Sequence, residues 1–286
     1  MAIKVIVDST SYIPKEIIEE YNITVLPLSV VFENGEIKET EISNEEFYKR
    51  LSKEDSIPKS SQPIVGEVYS IFEGMVQAGD EILGVFISSD MSGTYGTANL
   101  VKDMIIDNYP EASIELIDSR SNCMQLGYAT IAGARAAKEG KSLKEVVAVV
   151  KANTKRSKFI FSPDTLEYLK KGGRIGAAQA LLGSLLQLKP ILTVTDGKTD
   201  VITKVRSKKK AIEKMIEIFT NDISSFGLGE VIIHHINCEE EAEKIAGKIK
   251  EIIGKAVAIC PIGPVIGVHV GPGSLGIAYY TKEELK

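Results

Sequence analysis

Ile82-Leu83-Gly84-Val85-Phe86-Ile87-Ser88-Ser89-Asp90-Met91-Ser92-Gly93-Thr94-Tyr95 reads as strand, loop and helix in direct succession. Residues 82–87 form the near-continuous apolar run of a strand covered on both faces. A helical stretch opens near Thr94, and the residues between are rich in hydroxyls. Such a junction presents unpaired N–H groups and the positive end of a helix dipole to an anion. The loop has no lysine, so a triphosphate fits it poorly and a single carboxylate fits better.

The pattern repeats on either side. Runs at 3–7, 23–32, 82–87 and 113–117 predict strands, separated by helical stretches at 14–21, 43–52, 64–78 and 94–109. Helices are also predicted at 121–139 and 142–156. Strands separated by helices favour a parallel sheet. Beyond residue 157 the order changes. Strands are predicted at 158–162, 190–195, 200–206, 230–236, 255–260, 264–270 and 275–281, with no helix between the last three. Helices fall at 164–171, 174–188, 207–222 and 238–253. Asp196-Gly197 between β-branched runs signals a hairpin, as does Asn34-Gly35 in the first half. The expected fold is α/β with two lobes. An N-terminal parallel α/β/α sheet lobe spans 1–157, and a C-terminal α+β lobe with a mixed sheet spans 158–286.

Composition excludes several classes. The 286 residues carry 34 Lys+Arg and 39 Asp+Glu, a net charge of −5, so bulk attraction to nucleic acid is not expected. Cys123, Cys238 and Cys260 are scattered, which argues for reduced thiols rather than a disulfide framework. The chain begins with a strand-like run and no basic signal segment. No apolar run approaches the ~18–20 residues of a membrane span. The expectation is a cytoplasmic protein with no stable membrane insertion.

Each candidate site residue has two readings. Ser60-Ser61-Gln62-Pro63 is either a cap for the helix near 64–78 or a second hydroxyl loop sharing one anion with Ser92-Gly93-Thr94. Asp8-Ser9-Thr10 is a strand-end cap for the helix that starts at Pro14, or a place for acid or metal chemistry. Gly271, Gly273 and Gly276 spell G-x-G-x-x-G but lead into a strand, so a dinucleotide site fails on context. A turn allowing close backbone approach fits better. His269, in an apolar strand beside that turn, is a core residue or a site residue. His234 and His235 point to opposite faces of a strand, and even with Cys238 nearby they complete no metal site. Ser92 and His269 with Asp8 or Asp118 would suit a hydrolase triad, but no G-x-S-x-G elbow is present. Residues 175–188 are apolar on nearly every face, so they are buried as core or line an apolar cavity. Lys204-Val205-Arg206-Ser207-Lys208-Lys209-Lys210 is a solvated helix start or a docking patch.

Taken together, the set resembles the DegV family. The matching pieces are Val7-Asp8-Ser9-Thr10, Ser60-Ser61-Gln62-Pro63, residues 88–95, Leu169-Lys170-Lys171-Gly172-Gly173-Arg174-Ile175, Lys204-Val205-Arg206, and Gly263 to Gly276 with His269. The pieces run in order along the whole chain. The resemblance implies two α/β lobes enclosing a fatty acid, and bacterial members that present it to a separate fatty-acid kinase. It implies that Ser60 and Ser92 hold the carboxylate with His269 nearby. Ser61, Gly93 and Thr94 would support the two loops. Arg174 and Arg206 would stand at the site mouth or at the kinase-docking surface. Residues 175–188, with the first lobe, would wall the acyl tunnel. The family usually has Thr where this chain has Ser60, which keeps the hydroxyl and drops a methyl. The implied ligand is a long-chain fatty acid such as palmitate, stearate or oleate, with no metal, no cofactor and no catalytic residue. Two other readings stand beside it: an acyl hydrolase using Ser92 and His269, and an apolar-ligand sensor without a kinase.

Overall fold

The computed structural model describes residues 2–54, 56–182 and 188–285. The first half runs β1 (Ile3–Asp8), α1 (Lys15–Tyr21), β2 (Thr24–Leu26), β3 (Ser29–Phe32), β4 (Gly35–Lys38), α2 (Asn44–Leu51) and β5 (Lys59–Ser61). It continues with α3 (Val65–Gln77), β6 (Glu81–Phe86), α4 (Thr94–Asn108), β7 (Ile114–Asp118), α5 (Cys123–Lys138) and α6 (Leu143–Thr154). The second half runs β8 (Ser157–Ser162), α7 (Glu167–Lys171), a 3-10 turn (Gly176–Leu181), β9 (Lys189–Thr195), β10 (Lys198–Val205) and α8 (Lys208–Phe226). It ends with β11 (Leu228–His235), α9 (Glu239–Ile253), β12 (Ala258–Pro261), α10 (Pro264–Val270) and β13 (Leu275–Thr281).

Strands β2-β1-β6-β7 form a parallel sheet in that order. Helices α3 and α4 cover one face, where Phe72, Val101 and Ile105 pack on Ile6, Ile82 and Phe86. Helices α5 and α6 cover the other. The chain leaves β1 towards β2 on one side and reaches β6 on the other. The carboxyl ends of β1 and β6 therefore flank a switch point, where open α/β sheets leave a crevice. A second sheet, β10-β9-β8-β13-β11-β12, is mixed, with only β11 and β12 parallel. Its outer face is buried by α8 and α9.

Helix α5 joins these layers, touching β1 and β6 in one sheet and β8 and β13 in the other. Its sequence is apolar or small on every side, and Met124, Leu126, Tyr128, Ile131 and Ala134 are all buried, as a helix sandwiched between two sheets requires. A third, antiparallel sheet, β4-β3-β5, sits beside α10.

Several expectations change. The single run at 23–32 divides into β2 and β3, which enter different sheets. The run at 264–270, expected as a strand, is the helix α10, so a helix does separate the last strands. Pro264 at its first position has no N–H to lose there. The expected helix at 174–188 is a 3-10 turn as far as Leu181, and Ala177 and Ala180 are exposed. Leu185 and Leu186 lie outside the described residues. Asp8 caps the short 3-10 turn at Ser9–Ser11 rather than α1. Ser60 and Ser61 lie on β5, and α3 has no side-chain cap.

The Asp196-Gly197 hairpin forms as expected, with φ of 48° and 81°. Its tip docks on the first half: Ser88 Oγ donates to Gly197 O at 2.8 Å, and Arg120 Nη2 donates to Asp196 O. A Cβ on Gly197 would lie 2.5 Å from Ser88 Oγ and 2.6 Å from Arg120 Cζ. Gly79 has a similar φ of +76° and nothing within 4 Å. We expect Gly79→Ala to lose only the backbone preference, about 1–2 kcal/mol. Gly197→Ala should lose measurably more in urea unfolding. Equal losses would show that the hairpin tip is free in solution.

Candidate functional site

A slot opens just beyond the carboxyl end of β6, between the loop carrying Ser92, α10, and strands β8, β10 and β13 of the second sheet. Its walls include Leu28, Ile87, Met91, Phe159, Phe161, Ile262, Val265 and Ile266. Its cavity volume is about 40 Å³, and most of its lining side chains are apolar.

Four of the expected residues line this slot: Ser60, Ser92, Arg174 and His269. Ser60 comes from β5 and His269 from the last turn of α10, and Ser60 Oγ lies 2.8 Å from His269 Nε2. Ser92 stands ahead of α4. Its Oγ is 2.8 Å from Thr94 Oγ1 and accepts the Thr94 N–H at 3.3 Å. The cap position of α4 is Gly93, with no side-chain cap bond, so Ser92 closes a local turn with Thr94 rather than capping the helix. Gly93 is pressed against Gln62, whose Oε1 would lie 1.9 Å from an added Cβ. Ser61 and Thr94 do not line the slot; the Ser61 hydroxyl donates to Gln62 O at 3.4 Å.

Burial, with the Arg174 charge added, pushes His269 down to about 4. The ring is therefore neutral near pH 7. Its Nδ1 has no hydrogen-bond partner among the described residues. A tautomer with the proton on Nε2 leaves Nδ1 as an unpaired acceptor, which is tolerated better than an unpaired N–H. In that form His269 donates to Ser60 Oγ, and the Ser60 proton is free to point into the slot. Arg174 is half-buried, and its guanidinium is partly committed: Nε donates to Met91 O at 3.0 Å and Nη1 to Gly172 O at 2.6 Å.

The hydrolase constellation does not assemble. His269 pairs with Ser60, not Ser92. Asp8 accepts from Thr10 and from the Ile87 N–H at 2.6 Å, and Asp118 accepts from Ser89 and Arg120. His234 is bonded to Cys260 O and the Met124 N–H. Among the described residues no group of three metal-ligating side chains occurs. Arg206 is exposed and lines a separate surface cleft with Lys170, Lys171 and Lys189. Of residues 175–182, none lines the slot. Sequence reasoning missed Leu28, Asn122, Thr199 and the Val265–Ile266 turn as lining residues, because nothing local marks them.

Two buried carboxylates support the walls. Glu39 accepts from the Val265 N–H at 3.1 Å, from Tyr12 at 3.2 Å and from Ser9. Burial raises Glu39 to about 7 and Asp8 to about 6, against bonds that favour ionisation. Folding thus takes up protons at these acids, which lowers stability as pH rises from about 4.5 to 7. His234 and His269, both held near 4, act oppositely and favour the fold as pH rises from 4 to 6.5. We expect wild-type stability to vary little between pH 4.5 and 6 from these four groups. Glu39→Gln should gain stability relative to wild type as pH rises from 5 to 7, by up to about 1.4 kcal/mol per pH unit. A difference independent of pH in chemical unfolding would show that Glu39 is ionised in the fold.

A family model described as "Uncharacterised protein, DegV family" matches residues 2–282. A DegV domain-containing protein of Clostridium acetobutylicum is 52% identical over 100% of both chains. The crystal structure of DegV from Bacillus subtilis, described as a fatty acid binding protein, superposes with a TM-score of 0.88 at 34% identity, covering 99% of this chain and 100% of that one. A stearic acid-binding protein from Eubacterium ventriosum superposes with a TM-score of 0.90 at 25% identity over 98% of each chain. The two-lobed fold, the ordered motifs and these matches agree: this chain belongs to the DegV family.

Proposed function

We propose that this protein is a non-catalytic carrier that binds one long-chain fatty acid in the slot and presents its carboxylate to a separate fatty-acid kinase in the cytoplasm. Residues 1–157 supply the head-group loops, and residues 158–286 close the acyl tunnel. Palmitate, stearate and oleate are the ligands of the right class. The observation that carries the reading is that Ser60, Ser92 and His269 line one slot whose other walls are mostly apolar. Each methylene moved from water into such a wall contributes about 0.8 kcal/mol. A carboxylate buried with it needs donors, because an unpaired buried charge is costly. The hydroxyls of Ser60 and Ser92 supply them, with His269 orienting the first. The binding described for the relatives from Bacillus subtilis and Eubacterium ventriosum supports the same class of ligand.

The hydrolase reading is less well supported. His269, held near 4, is a weak base at neutral pH, and its Nδ1 has no acid to orient it. Turnover of an acyl ester by the purified protein, lost in Ser92→Ala, would favour that reading instead.

Denaturing extraction of the purified protein, followed by mass spectrometry, should yield about one long-chain acid per chain. Finding none, together with no uptake of added palmitate or oleate, would sink the carrier reading. Ser60→Ala and Ser92→Ala should each weaken binding on the order of ten- to a hundred-fold, the worth of one charge-assisted bond. Fluorescent fatty-acid displacement measures this, and unchanged affinity in both variants would place the carboxylate elsewhere.

Arg206 belongs to a different step in this reading. It lies with Lys170 and Lys171 on an exposed cleft of an acidic protein. Arg206→Glu should leave fatty-acid affinity unchanged and weaken association with a cognate kinase, most visibly at low salt. His269→Ala should impair acyl-phosphate formation while the complex still assembles. A pull-down with a kinase assay separates the two. A protein that binds fatty acid but engages no kinase would be a sensor instead.

A further inference from the structure

Helix α5 starts at an asparagine that does not cap it. Asn122 has the extended backbone of an N-cap residue, φ −152° and ψ −176°, yet its side chain takes no bond from the helix. Asparagine in this position ordinarily accepts an N–H from the first turn. Here that N–H is taken by another group: Met124 N–H donates to His234 Nε2 at 3.2 Å. His234 Nδ1 is 3.0 Å from Cys260 O, which fixes the proton on Nδ1 and leaves Nε2 as the acceptor. A buried histidine from β11 thus does the capping, and the Asn122 amide is released.

Asn122 is one of the residues lining the slot, and it is only 9% exposed. Its neighbours on the wall include Ile87, Met91 and Phe159. Its Nδ2 reaches Met91 Sδ at 3.3 Å, a weak acceptor. Its Oδ1 is buried with no hydrogen-bond partner among the described residues. An unpaired acceptor in an apolar wall is destabilising, and each such group in a native protein asks for a reason. A methylene chain gives it no partner. An ionised carboxylate can accept from Nδ2 with the amide turned over, but it has no proton for Oδ1. A hydroxyl can donate to Oδ1 and, with the amide turned over, accept from Nδ2, so it suits either orientation.

We propose that Asn122 forms a polar subsite within the acyl slot that takes a hydroxyl on the ligand chain, so that this protein prefers a hydroxylated long-chain acid to the plain one. This rests on the fatty-acid reading of the slot. The test compares stearate with a positional series of hydroxystearates on the wild-type protein, Asn122→Ala and Asn122→Leu, by fluorescent displacement. One hydroxyl position should raise wild-type affinity about threefold to tenfold over stearate, the worth of one neutral hydrogen bond. Both variants should lose that preference, read as the ratio of hydroxy acid to stearate affinity within each protein. Because the side chain caps nothing, the variants should fold; the wild-type preference is in any case read without them. Stearate bound as tightly as every hydroxy acid would mean that a water molecule satisfies Asn122, and overturns the proposal while leaving the carrier reading intact. A hydroxyl preference that survives in both variants overturns it too. Binding of none of these acids overturns both.

Discussion

The hydrogen bond between Ser60 Oγ and His269 Nε2 joins residues 209 positions apart, and the site exists only if α10 is held in place to make it. That helix has seven residues, too few to be stable alone. Its start is held by the first half of the chain. Glu39 accepts the Val265 N–H, and Tyr12 OH accepts the Ile266 N–H at 3.2 Å. Tyr48 and Asn44 donate to Ile262 O at 3.2 and 3.3 Å. Its end is tied by Ser274, whose hydroxyl donates to Gly271 O at 2.7 Å. The two lobes are therefore coupled through the helix that carries His269.

The electrostatics follow the same plan. A free cation would bind a carboxylate more strongly, but it would also have to be desolvated beside an apolar slot. Arg174, the cation on the wall, spends two of its donors on backbone carbonyls. The buried acids do the converse work. Asp8 accepts the N–H of Ile87, and Glu39 that of Val265, so each holds a wall residue by its backbone. In the proposed carrier, charged acids at both places would repel the carboxylate. Burial raises both, so near pH 6 to 7 part of that charge is removed.

The loop carrying Ser92 was legible because strand, loop and helix follow one another locally, whereas Ser60, expected in a loop, lies on β5. His269 was legible as a residue but not as a place. Pro264 to Val270 is rich in valine and isoleucine, which favour strands, and tertiary contacts with β3, β5, α2 and α7 override that preference. The apolar stretch after Arg174 misled in the other direction: its composition suited a buried helix, but the chain bends at Gly176, with φ +52°, and packs against Thr199 O. Asn122 could not be read at all. In sequence it is an ordinary helix cap, and only the fold brings His234, 110 residues beyond Met124, to take the bond it would have made.

The loop carrying Ser92 shows why the second sheet must close on the first. Ser88 holds the loop base: its N–H donates to Ser121 O at 2.8 Å, its Oγ donates to Gly197 O, and the Asp90 N–H donates back to Ser88 Oγ at 3.2 Å. Asp90 is paired in turn with Arg120 and with Lys198 of β10. These ion pairs are partly exposed, and each contributes little to stability. Their effect is geometric. They fix the loop between β6 and α4 against a hairpin from the other lobe, so the Ser92 hydroxyl is placed by both lobes at once. A donor held that way has little freedom left to lose, and in the proposed carrier this preorganisation is what would let hydroxyls hold a charged head group.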